Sequence, residues 1–286
     1  MTVVALALVM IALAALVVGL ATVLVSLAPV ARPRLDRFVT RTGVRFTAAN
    51  APYVLDALAR TMRWRTAGVV LASAIWLAWD VLHETLTVGN YNGVVLATGF
   101  LVGSVVGEVG SAVTRGSGPR TASLAPRRER DYVGSWARTW PAVVAALSLV
   151  LGPVAALVRS DPVGAALLVA IVLVAWAAGR GCTRLILERP RPAEADADVV
   201  AADDGLRSRA LHAVGGAVVL AGSWSAVTLS ANLVRGDGAR DGVVAGGALL
   251  LMAVVAWWAW RRATAPFLVV DLSPVVTGPV QDGPLA

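Results

Sequence analysis

Lysine is missing from this chain: all 25 basic residues are arginine. Cysteine occurs once, at Cys182, and histidine twice. A lone thiol excludes an intramolecular disulfide, a zinc site built on several thiolates and an iron–sulfur cluster; a buried small residue and a reactive thiol both stay open for it. Two histidines leave few nucleophile–base pairs. There is no Walker A loop, no dinucleotide-binding glycine pattern, no HExxH and no GxSxG, so no catalytic signature is present and a non-enzymatic role without cofactor or metal is expected. Charge is scarce too. Only 15% of the 286 residues are charged, against about 25% in soluble domains.

What fills the chain instead is apolar: 57% hydrophobic residues and a mean hydropathy of +0.73. This composition predicts an all-α polytopic transmembrane helix bundle. Seven spans are read at about 3–30, 66–83, 92–114, 140–158, 162–180, 210–232 and 242–262, forming one bundle over 1–262. No arginine precedes the first run, which is longer than a signal-peptide core; it reads as a true span with its N-terminus outside. The tail, 263–286, is punctuated by Pro and Gly and is expected to be flexible.

The net charge of +7 invites a nucleic-acid reading, but the arginines cluster at the ends of apolar runs, as membrane orientation requires. Twenty-two fall in the segments 31–65, 115–138 and 180–209 and at Arg261–Arg262; three (Arg159, Arg235, Arg240) fall in the opposite turns. The positive-inside rule then puts the C-terminus in the cytoplasm of a multi-pass protein of the cell membrane. Trp257, Trp258 and Trp260 ahead of Arg261 fit an interfacial belt and anchor.

Segment 31–65 reads as an amphipathic stretch on the inner leaflet that continues into the second span. Asn50 and Pro52 resemble a helix start, with Asn capping free amides. Either a surface for anionic lipid or a soluble partner, or a plain basic anchor, accounts for its arginines.

Gly99, Gly103, Gly107 and Ser111 recur every fourth residue, so they share one helix face with almost no side chains. In lipid, close backbone approach drives helix association, and this face is expected to be the packing seam of the bundle. Glu108 lies beside it. An ionisable group on such a helix is costly unless paired or wet, and an arginine at a cytoplasmic helix end, such as Arg115, Arg138 or Arg180, is the expected partner, in a functional role or a structural ion pair. Asp80, His83 and Glu84, spaced i, i+3, i+4, form either a cation or proton site or the point where a helix meets outer water. In the loop 180–209, Asp203 and Asp204 read as the N-cap and first turn of the sixth span, with Asp203 four residues from Arg207 and able to pair with it. A docking patch, or a cation site joining these acids to His212, is the sharper alternative.

Arg65, Arg138 and Arg209 open three hairpins at spacings of 73 and 71 residues, and Pro119-Arg120 and Pro190-Arg191 are 71 apart. A triplicated hairpin or the common need for basic flanks explains both. At Pro52-Tyr-Val…Ala59-Arg60…Arg63-Trp64-Arg65, Asp131-Tyr132…Trp136 and Arg189-Pro-Arg-Pro…Ala201-Ala-Asp-Asp204…Arg207, the chain resembles uncharacterised actinobacterial multi-pass integral membrane proteins. That resemblance implies the membrane class and no activity. The expected role is a scaffold or partner subunit of a transport or envelope system, meeting membrane lipid or another membrane or ABC-type subunit and no nucleic acid. The alternatives are a small-solute or ion transporter using Glu108 and Asp80/His83/Glu84, and a membrane enzyme acting on lipid.

Overall fold

The computed structural model describes residues 30, 32–82, 93–114, 120–121, 128–159, 162–189, 191–192 and 196–234, with isolated positions 20, 254 and 257. The expected spans 3–30 and 242–262, the tail, and His83 and Glu84 lie outside these, save for those isolated positions and Val30. So do the side chains of Asp80 and Ser111.

Six helices make up the described chain: α1 (Arg32–Thr42), α2 (Ala51–Leu82), α3 (Gly93–Thr114), α4 (Ser135–Arg159), α5 (Pro162–Glu188) and α6 (Ala197–Val234). A single 3-10 turn, Glu129–Asp131, precedes α4. Two two-residue strands, β1 (Arg120–Thr121) and β2 (Arg191–Pro192), pair antiparallel with Arg120 opposite Pro192. The two Pro-Arg loops singled out by their spacing are therefore hydrogen-bonded neighbours.

Two helical stretches, Ala137–Val158 and Pro162–Glu188, are long and apolar enough to cross a membrane; within α3, Gly99–Gly110 is a shorter apolar stretch. α2 packs on α3, α4 on α5, and α6 lies against α3, α4 and α5. At one end of the bundle, here termed the polar end, gather α1, the first turns of α2, residues 128–134, the last turns of α5 and the first turns of α6. Two apolar clusters hold it. Phe38, Val44, Val54, Leu58 and Leu206 form one; Tyr132, Val133, Ile186, Leu211 and Val214 form the other.

The seam between α2 and α3 follows from their glycines. A Cβ built on Gly103 would stand 2.9 Å from the Arg65 Cα, one on Gly107 3.0 Å from the Thr61 Cα, and one on Gly99 2.7 Å from the Ala72 Cβ. Gly68 of α2 meets Gly99 and Gly103 of α3 in the same way. The helices run antiparallel with their backbones in contact, which only residues without side chains permit.

Several local expectations are corrected. Asn50 does stand at the start of α2, and its carbonyl accepts the first helical bond from Val54 N (3.0 Å). Its side chain, however, faces backward. Oδ1 accepts from Thr47 N at 3.0 Å, and Nδ2 donates to Arg45 O at 2.7 Å and Asp198 O at 3.2 Å. The fully buried Asn50 thus ties the turn 43–50 to α6 instead of capping amides of α2. α1 ends where Gly43 adopts φ +64 and its N–H reaches Val39 O at 2.8 Å, a left-handed position that suits glycine. Segment 51–65 is the first half of one long helix, with Val54, Ala57, Leu58 and Thr61 turned into protein.

The segment 180–209 is mostly helix rather than loop. α5 continues to Glu188, and α6 begins at Ala197 after Asp196, whose carbonyl accepts from Val199 N and Val200 N. Asp203 and Asp204 therefore sit in the second turn of α6 and do not cap it. Hydropathy marks only the apolar portion of a helix, so both helices extend past the predicted span ends.

Candidate functional site

The polar end carries two groups of charges with different surroundings. The first is closed. Asp203 and Arg207 are fully buried, and Arg189 is nearly so. Arg207 Nε donates to Asp203 Oδ2 at 2.8 Å, the i, i+4 pair expected from sequence. Its other nitrogens donate to Ile186 O (2.8 Å) and Arg189 O (2.9 Å), the end of α5. Arg189 and the Tyr53 hydroxyl both bond Asp203 Oδ1, and Arg189 also donates to the Tyr53 oxygen at 2.8 Å. Next along α6, Tyr132 donates to Asp204 Oδ1 at 3.0 Å, and Ser208 donates to Tyr132 O at 2.9 Å. One carboxylate answers two guanidiniums, and each remaining bond ties α6 to α2, α5 or the 128–134 turn. This is a fastening. His212 touches it at Ser208, its Nδ1 lying 2.7 Å from Ser208 O and 3.5 Å from Ser208 Oγ. The acids and His212 do not form a cation site, and among the described residues no group of three or more metal-ligating side chains occurs.

The second group is open. α1, α2, α3 and α6 enclose a cavity of about 660 Å³. On α1, Arg34, Arg37 and Arg41 fall at i, i+3 and i+7, one helix face, and all three are exposed along the cavity's rim. α2 contributes Leu58, Met62, Arg65, Thr66 and Val69 from one face; α3 contributes Phe100 and Ser104; α6 contributes Ser208, Arg209, His212 and Ala213. Among the described residues five guanidiniums line the space and no carboxylate does.

Behind that wall sits Glu108, buried. It accepts from Thr61 Oγ1 at 3.2 Å and pairs with Arg209 Nε at 3.2 Å. Among the described residues its cation is Arg209 and not Arg138 or Arg180, the latter pairing with Glu129 at 3.1 Å; Arg115 lies outside the described residues. The long-range fold chose a residue 101 positions away, which local spacing does not reveal.

Arg65 has a different situation. Its Nε donates to Ser104 Oγ at 2.8 Å, and its guanidinium lies 4.9 Å from the Phe100 ring centre, a cation–π distance. No carboxylate pairs with it among the described residues. Burial pushes its pKa down to about 10, the neighbouring Arg209 and Arg34 push the same way, and Glu108 opposes them. It remains charged at neutral pH and is short of anions.

Of the sequence-predicted residues, Gly99, Gly103 and Gly107 lie on the α2–α3 seam and Glu108 on the same helix beside the cavity. Arg34, Arg37, Arg41 and Arg65 belong to the segment 31–65 expected to meet anionic lipid or a soluble partner or to serve as a plain anchor, and Arg209 to a basic flank; none is expected from sequence to line a cavity. The 3- and 4-residue spacing of the first three was the available signal for a shared face; the convergence of Arg65 and Arg209 on it required the tertiary structure. Compared with protein-family profiles, curated proteins and solved structures, the chain matches none.

Proposed function

We propose that the chain is a non-enzymatic protein of the cytoplasmic membrane that crosses it seven times, N-terminus outside and C-terminus inside. On this reading it works at its inner face, as a scaffold or partner subunit meeting anionic lipid. The observation that carries the reading is the arginine-walled cavity at the polar end. Support for the membrane comes from α4 and α5, whose apolar side chains stay uncovered: Leu157 is 84% exposed and Val163 68%. Stripes of this kind belong in hydrocarbon, not water. The loop motifs that resemble actinobacterial membrane proteins fit the same class. Transport with Glu108 as carrier is less favoured, because Arg209 and Thr61 already occupy it.

The test is accessibility. In a Cys182→Ala background, single cysteines at Arg41→Cys, Arg128→Cys and Asp161→Cys are challenged on intact cells with a membrane-impermeant maleimide. Labelling is expected at position 161 alone, with 41 and 128 reacting only after lysis. Labelling of 41 or 128 from outside overturns the orientation and, with it, the inner-face role.

A further inference from the structure

We infer that the cavity between α1, α2, α3 and α6 is a binding site for one amphiphile bearing a phosphate monoester, its headgroup between Arg65 and Arg209 and its chain along the apolar wall. The inference rests on the inner-face reading above and names the ligand class.

Three observations carry it. First is charge. Five guanidiniums face one space, and Glu108, behind it, is already engaged by Arg209 and Thr61. Arginine forks match phosphate oxygens in bidentate geometry, and a doubly charged monoester answers this excess better than a singly charged diester. Second is burial. Arg65 is half-buried, lacks a carboxylate among the described residues, and faces the cavity from beside Ser104. A guanidinium withdrawn from water without a counter-ion is costly, and an anion in the cavity removes that cost.

Third is the polarity gradient. α2 runs from Leu58 at the polar end to Val69 in its apolar part, and both line the cavity. Phe100, 39% exposed, lines it from α3. A volume of about 660 Å³ lies within the range of small-molecule pockets and far exceeds a bare phosphate. The apolar wall of Leu58, Met62 and Val69 would be idle for an inorganic ion.

The full-length chain, purified in a neutral detergent, is titrated with dioctanoyl phosphatidic acid, dioctanoyl phosphatidylcholine and inorganic phosphate. Intrinsic tryptophan fluorescence and thermal melting are followed. Saturable binding of the phosphatidic acid, with a raised Tm, is expected; phosphatidylcholine should do neither, and inorganic phosphate should bind at least about tenfold more weakly, since it gains nothing from the apolar wall. Arg65→Gln and Arg209→Gln should each lower affinity about tenfold or more, with Arg65→Lys recovering part of the loss. The exposed Arg34→Gln/Arg37→Gln pair tests the site without disturbing the core and should weaken binding, whereas Arg130→Gln, away from the cavity, should not.

Equal binding of phosphatidylcholine and phosphatidic acid overturns the proposal, as does unchanged affinity in both Arg65→Gln and the rim pair. Inorganic phosphate binding as tightly as the lipid assigns the cavity to a soluble anion and overturns the amphiphile. Failure here leaves the membrane topology intact; outside labelling at positions 41 or 128 defeats the inner-face reading whatever the lipid does.

Discussion

Among single residues, Asp203 has the most to lose. Its carboxylate is shared by the buried Arg189 and Arg207 and the half-buried Tyr53. Asp203→Ala removes the carboxylate that two buried guanidiniums share, and removing one partner of a buried ion pair costs about 3–5 kcal/mol. Thermal melting in detergent should show that loss. Asp56→Ala, which breaks the exposed pair with Arg60 (3.1 Å), should cost under about 0.5 kcal/mol. Equal shifts for the two variants would refute the fastening role. Tyr53→Phe, which removes one hydroxyl from the network, should fall between them at about 1 kcal/mol.

For the helices, the sharpest prediction concerns the seam. Gly103→Leu inserts a side chain where even a Cβ lies 2.9 Å from the Arg65 backbone, and α2 and α3 must part. Yield of monodisperse protein in size-exclusion chromatography should collapse. Gly110, on the same helix, has nothing within 4 Å of an added Cβ, so Gly110→Ala should be neutral or stabilising by up to about 1 kcal/mol. If Gly103→Leu is as well behaved as Gly110→Ala, the seam is not what joins the helices.

The glycine period was legible in sequence because it depends only on helical geometry, and so was the Asp203–Arg207 pair, for the same reason. The identity of the helix opposite the glycines was not; it depends on Gly68, an isolated glycine with no period of its own. Helix ends were misread wherever a helix runs on from apolar into charged sequence, as α5 does through Arg184 to Glu188 and α6 does from Ala197. The cavity was invisible for a further reason. Its arginines come from three helices, and arginine at the end of an apolar run carries the same sequence mark whether it anchors a span or lines a pocket.

Taken whole, a chain of net charge +7 can attach to a membrane in two physically different ways. Electrostatic attachment is screened by salt, with a Debye length falling to about 3 Å at 1 M. Helices such as α4 and α5, long and apolar enough to cross a membrane, would instead be held by hydrocarbon whatever the salt. The expected outcome is retention of the chain in the membrane pellet through both high-salt and alkaline carbonate washes, with release by detergent only. Release by salt would make it a peripheral basic protein and remove the bundle from the membrane.

The α2–α3 seam has a consequence for the pocket beside it. Trp64, Arg65 and Gly68 press against α3, while Met62, Arg65 and Val69 of the same helix face the cavity. Phe38 pins α1 through its apolar cluster, and Asp203 pins α6. The helices that form the walls are thus also clamped to one another, Phe38 and Leu58 serving both the cluster and the cavity lining. For the amphiphile proposed above, such a space would act as a mould instead of a glove, giving up little energy to reshape the protein.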